Sequence, residues 1–422
     1  MTSARPAVAR RRAAWSGMPA VTAALALAGT LTGLAVAPAT ADGTQPPRPE
    51  RPATATATTT TAATTTAATA KPAPGTLLKA VALGREHRPH GGPGQLLSYA
   101  STGARGGPVT VTGLFYAPAG KAPRGGWPVI SLTHGTVGTA DACAPSRTDP
   151  GLPHDPFVRG WLDRGVAVVA TDYEGLGTRG PHPYLHARSA AHSSTDIVRA
   201  ARQAHRGVSG TWVVMGQSQG GHAAISTAVH ATRYAPELDF RGAVATAPPT
   251  EFTRLIAHRP DPADSRGAER AMRIALYPLV MRGLTAADPA LDFTRLFSEK
   301  ARTLLPTARN KCFEDLFAQV RREGLHDGNV WKKRPETDRA LMAAARKHIN
   351  TPVVRLDRPL FIGQGAKDEI VQAHVTARYA QRLAAQGSKV TYREYPDADH
   401  VSVVPASDPE VIRWTTQRLA RR

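Results

Sequence analysis

The chain has 422 residues, 41% of them hydrophobic, with a formal net charge of +20 and only two cysteines. That length could hold two domains, but the part with folding patterns reads as one large unit carrying an insertion. The two distant cysteines lack the paired spacing of a metal site. The arginines are scattered and no nucleic-acid-binding motif accompanies them, so the charge reads as surface tuning and no nucleic acid partner is expected.

The first 41 residues read as an export signal. Arg10-Arg11-Arg12 supplies a basic start, residues 18–36 are an apolar, alanine-rich stretch, and Ala39-Thr40-Ala41 is a small-residue cleavage site. Pro19, Gly29 and Gly33 interrupt the stretch, which argues against a retained membrane anchor. Ala13-Ala14 rather than bulky apolar residues follow the arginines, favouring the Sec route over Tat. Removing four arginines with this segment lowers +20 to +16, still a field that attracts anionic surfaces and allows transient contact with a lipid interface. In an oxidising compartment, Cys143 and Cys312 are expected as one disulfide, which across so long a loop stabilises by about 4 to 5 kcal/mol in the chain-entropy model. Residues 42–75 are dominated by proline, threonine and alanine and read as an extended spacer.

The folded domain is expected over residues 76–422. Residues 95–101 and 109–116 are β-rich runs around a glycine-rich loop, an antiparallel hairpin. Residues 127–133 form a buried strand ending in His134-Gly135-Thr136, and residues 166–171 another, ending in Asp172-Tyr173-Glu174-Gly175. A helix over 194–207 leads to the apolar run Val213-Val214-Met215, and a strand over 242–247 follows. Strands alternating with helices imply an α/β fold, with a mostly parallel sheet, helices on both faces, and ligands at the carboxyl ends of the strands. From about residue 250 to 351 the strand pattern gives way to helical pieces around 268–283, 293–304, 312–323 and 338–348. An insertion of that length reads as a cap over the site. Strands resume at 359–363 and 390–395, and a helix over 409–419 closes the chain.

The chemistry centres on Gly216-Gln217-Ser218-Gln219-Gly220-Gly221, a Gly-x-Ser-x-Gly turn between strand and helix. Serine on so sharp a turn is strained, and Gly216 and Gly220 are small enough to allow it. A serine hydroxyl needs a base and an orienting acid, expected downstream in the order Ser, Asp or Glu, His. Asp368, on the loop after a buried strand, is the acid and His400, after the next strand, the base. Glu369 is expected to point elsewhere, and Asp397 and Asp399 to be solvated turn residues. His222, one turn along the elbow helix, cannot easily fold back onto the hydroxyl and reads as structural. The backbone N–H groups of Gln219 and Thr136 are assigned to an oxyanion hole. Asp172 and Tyr173 could shape the pocket or hold their own loop.

Taken together, residues 127–400 resemble the α/β-hydrolase fold. A narrower set, namely His134-Gly135-Thr136 followed by Cys143-Ala144-Pro145, then Asp172-Tyr173-Glu174-Gly175-Leu176-Gly177, the elbow and a helical cap, resembles the secretory lipase family. Gln217 and Gln219 depart from residues common at its elbow. The resemblance implies a secreted, cofactor-free serine esterase or lipase acting on lipid or other small acyl esters, here expected as a monomer. It also implies that the Cys143–Cys312 disulfide pins the cap over the site. A peptidase or acyltransferase on the same fold, or a non-catalytic module holding to the cell envelope, are the alternatives.

Overall fold

A computed structural model describes residues 71–88, 92–148, 156–257 and 267–420. The export signal and most of the spacer read from the sequence lie outside these residues. Packing begins at the spacer's end, where Gly75 is buried and donates to the Ala100 carbonyl.

Among the described residues nine strands form one sheet: β1 (Leu77–Ala82), β2 (Gly94–Thr102), β3 (Pro108–Tyr116), β4 (Trp127–Thr133), β5 (Ala167–Thr171), β6 (Val208–Gln217), β7 (Asp239–Thr246), β8 (Leu360–Gly365) and β9 (Val390–Tyr395). Their spatial order is β1-β2-β3-β5-β4-β6-β7-β8-β9. β2 and β3 are the expected hairpin, with Ser98 opposite Thr112. β3 meets β5 antiparallel, and from β5 onward every pairing is parallel. Parallel strands buried on both faces need continuous apolar runs. Ala-Val-Val-Ala in β5 and Trp-Val-Val-Met in β6 supply them.

The helices in chain order are α1 (Pro145–Thr148), α2 (Pro156–Asp163), α3 (Ala187–Ala204), α4 (Gln219–Tyr234), α5 (Phe252–Ala257), α6 (Gly267–Ala287), α7 (Glu299–Arg302), α8 (Leu304–Asn310), α9 (Phe313–Arg322), α10 (Arg339–His348), α11 (Ala373–Ala385) and α12 (Val403–Leu419). On one face of the sheet, α3, α4 and α11 bury Ile197, Ile225 and Tyr379 against Val129, Trp212 and Ile362. On the other, Trp161 of α2 and Trp414 of α12 cover Ile130, Val213, Val244 and Phe361.

Between β7 and β8 the helices α5 to α10 build a separate apolar core around Ile274, Val280, Phe297, Leu316 and Leu341. The piece expected over 293–304 is a 3₁₀ turn (Thr294–Leu296) followed by two short helices. Ser298 accepts from the Ala301 N–H and so starts a new helix inside the run. Gly283 lets α6 lie directly on the loop before α3. A Cβ there would stand 2.4 Å from the Tyr184 carbonyl oxygen.

Candidate active site

Ser218 follows the last residue of β6 and precedes the first of α4, with φ 56° and ψ −119°. Two kinds of contact hold this strained turn. The Ser218 N–H donates to the Thr246 carbonyl at the end of β7, and the Thr133 hydroxyl donates to the carbonyls of Met215 and Gly220. The turn presses so closely on β4 that a Cβ on Gly216 would lie 2.3 Å from the Thr133 carbonyl oxygen, and one on Gly220 at 2.0 Å. Both positions therefore require glycine for space.

The structure brings Ser218, His400 and Asp368 together from three strand ends. His400 Nε2 is 2.9 Å from Ser218 Oγ, and His400 Nδ1 is 2.8 Å from Asp368 Oδ2. An ionised carboxylate can only accept, so Nδ1 carries the proton and Nε2 is free to accept from the serine. Asp368 is buried, its Oδ1 accepting from the N–H groups of Ile370 and Val371 and its Oδ2 also from Gln364 Nε2. The His400 side is held by Gln217, whose amide donates to the His400 carbonyl at 2.8 Å. Asp397 instead pairs with Lys367 at 2.8 Å and is exposed, while Asp399 caps its own turn by accepting from Val401 and Ser402.

Gln219 occupies the first position of α4, where backbone N–H groups point out of the helix and favour negative charge. Its side chain is buried and reaches His182 Nε2 at 3.2 Å. His182 Nδ1 faces the Glu174 carbonyl at 2.7 Å, which can only accept, so Nδ1 bears the hydrogen and Nε2 accepts from the Gln219 amide. Burial, opposed by that carbonyl, lowers the His182 pKa to about 4 and keeps the ring neutral. Thr136 lies in the loop after β4, its hydroxyl 2.6 Å from that of Tyr184. The Tyr173 hydroxyl donates to the His134 carbonyl and so fixes the start of that loop.

Asp172 and Tyr173 are built into loops. Asp172 accepts from the Ser146 N–H and hydroxyl and from the Thr112 hydroxyl, tying α1 to β3. Tyr173 is buried against Ala144, Leu176 and Ala223. Neither lines the pocket that contains Ser218. His222 is fully buried and its Nε2 donates to the Ile349 carbonyl at 2.6 Å, fastening α4 to the end of α10.

The Ser218 pocket encloses a narrow cavity of about 50 Å³ within about 530 Å³ of space that takes in its open mouth, with apolar walls from α5, α6 and the loop after β8. Leu276, Tyr277 and Val280 face it, whereas Leu279 and Phe297 pack in the cap's own core. Tyr184, Phe252, Ile370 and Arg273 also line it and carried no signal in the sequence, since nothing local marks which residues of a cap meet a distant strand end. Cys143 and Cys312 form a disulfide, Cα to Cα 5.4 Å. Among the described residues, no group of three or more histidine, cysteine or acidic side chains could hold a metal ion, and no helix is long and apolar enough to cross a membrane.

This sheet order, with a strained serine at the parallel strand ends, defines an α/β hydrolase. The chain resembles in fold Candida antarctica lipase A (TM-score 0.66, 19% identity, 82% of each chain covered). It resembles equally the rice cell wall degrading esterase LipA from Xanthomonas oryzae (TM-score 0.65, 19% identity, 82% of this chain and 99% of that one). The family model for secretory lipases matches residues 154–422, and the chain belongs to that family. It is 26% identical to a probable inactive lipase of Mycobacterium tuberculosis (strain CDC 1551 / Oshkosh), over 77% of this chain and 73% of that one. With lipase A of Moesziomyces aphidis it shares 25% identity over 58% of this chain and 53% of that one.

Proposed function

We propose that the protein is an exported serine hydrolase that cleaves carboxylic esters through an acyl-enzyme. The observation that carries this reading is the continuous hydrogen-bonded line from Asp368 through His400 to Ser218, opening onto an apolar pocket under the cap. Ser218 attacks the ester carbonyl while His400 takes its proton. His400 then returns the proton to the leaving alcohol and activates the water that frees the acid. The N–H groups of Gln219 and Thr136 meet the oxyanion. No cofactor enters these steps. An apolar pocket around the nucleophile suits an acyl chain better than a polar peptide backbone. Residues 1–41 direct export, residues 42–75 form a spacer ahead of the folded domain, and the basic surface favours passing contact with anionic interfaces.

The likeness to a probable inactive lipase gives the competing reading, a binding protein on a hydrolase scaffold. Hydrolysis of p-nitrophenyl esters of increasing acyl length, beside Ser218→Ala, separates the two. The expected result is hydrolysis by the native chain and a fall in kcat of at least about 10⁴-fold in the variant. Equal rates in both proteins would remove the serine from the mechanism, and no turnover of any ester would favour the binding reading.

A further inference from the structure

Among the described residues that wall the Ser218 pocket, Arg273 on α6 is the one ionic side chain. It is 6% exposed. Its Nη2 donates to Asp327 Oδ2 at 2.6 Å, and the Tyr277 hydroxyl is a second acceptor for the guanidinium. Nη1 is buried and has no hydrogen-bond partner. A charged donor left unsatisfied in an apolar site is costly, and such groups are commonly completed by a ligand.

Resting on the ester-hydrolase reading above, we propose that Arg273 Nη1 recognises an oxygen on the substrate's acyl chain, so that the preferred esters carry an uncharged carbonyl along that chain. The acyl group is the part that stays attached to Ser218 through both half-reactions, and the pocket closes around that serine. Charge selects the kind of oxygen. Asp327 already balances the guanidinium, so a second carboxylate would be buried beside a like charge, whereas a carbonyl accepts the free N–H without adding one. Because sites built to hydrogen-bond an acceptor reject the chain lacking it, Arg273 makes this pocket discriminate among chains of equal length and apolarity.

The test compares p-nitrophenyl esters of unbranched acids of six to twelve carbons with isosteres in which one methylene is replaced by an oxo group at successive positions. One oxo position is expected to raise kcat/KM about tenfold or more over the parent ester, mainly through KM. Arg273→Met should bring that ratio to about one. Arg273→Lys, which can still meet Asp327 but has no second head, should do the same in a protein that keeps its melting temperature. A preference surviving both variants, no preferred oxo position, or a stronger preference for a terminal carboxylate would overturn the proposal. So would an equal loss on both substrates with a lowered melting temperature, which would leave Arg273 as a tie between α6 and Asp327. Calorimetric binding of the intact esters to Ser218→Ala is independent of turnover. Selective binding of the oxo ester there, abolished by adding Arg273→Met, would uphold Arg273 even if the native chain hydrolysed nothing.

Discussion

Asp368 divides its work between two oxygens. Oδ1 takes two backbone N–H groups and Oδ2 takes Gln364 and His400, so every neighbour is a donor. Asp368→Asn would turn an amide N–H₂ toward one of those donor pairs. If it faces His400, the imidazole must move its proton to Nε2 and can no longer accept from Ser218. The expected outcome is a loss in kcat of about 10⁴-fold with KM and the far-ultraviolet circular dichroism little changed, read with a short-chain p-nitrophenyl ester. A loss below tenfold would mean that Asp368 does not set the tautomer. The three residues of this line were legible in the sequence because each follows a strand, and strand ends meet at one rim of a parallel sheet. Gln217, Gln364 and His182 were not. Each matters through a partner 183, 4 or 37 positions away, and a glutamine or histidine leaves no periodic trace of such a contact.

At the scale of elements, the loop after Thr136 is held by three cap helices at once. The Phe313 N–H donates to the Val137 carbonyl, Thr139 Oγ1 donates to the Ala308 carbonyl and accepts from Arg282 Nε, and Cys143 is bonded to Cys312 at the start of α9. The disulfide closes a separation of 169 residues, worth about 5 kcal/mol in the chain-entropy model. Reduction, or Cys143→Ser with Cys312→Ser, should lower the melting temperature by roughly 7 °C. Because the polar ties remain, ester hydrolysis at 25 °C should fall by less than about tenfold. A collapse of activity at an unchanged melting temperature would make the disulfide a determinant of the site's geometry instead. The cap's helical content could be read from the sequence, but its inner face could not. α6 buries residues on all sides, because it lies between the cap's core and the pocket, and an all-round apolar helix has no preferred face. β1 escaped notice for the opposite reason: it is an edge strand, largely exposed, with little alternation to detect.

For the molecule as a whole, buried histidines control the response to acid. His182, His186 and His222 lie around the meeting of α3, α4 and the cap, with the His348 ring 5.3 Å from that of His186. Burial lowers His182 and His222 to about 4. It lowers His186 to about 3, helped by His348 and Arg188, while half-buried His230 is lowered to about 4. An unfolded chain protonates these rings near pH 6.5. Between that value and the folded-state pKa the unfolded state binds more protons, so this stability is fully present above about pH 6.5 and is lost as pH falls toward 4. Two carboxyl groups, buried Asp196 and half-buried Glu174, act in the opposite direction. Burial raises Asp196 to about 6 and raises Glu174, so the stability they contribute grows as pH falls through the same range. Four histidines outweigh them, and the positive net charge adds repulsion as carboxylates elsewhere are neutralised. The melting temperature should therefore decline steadily from pH 7 to pH 4. His222→Gln, which keeps an amide donor for the Ile349 carbonyl but cannot titrate, should flatten that decline by up to about 1.4 kcal/mol per pH unit, read as ΔG from urea melts. A melting temperature that rises on acidification would show that Asp196 and Glu174 govern the balance, and an unaltered slope in His222→Gln would place the proton uptake on the other rings.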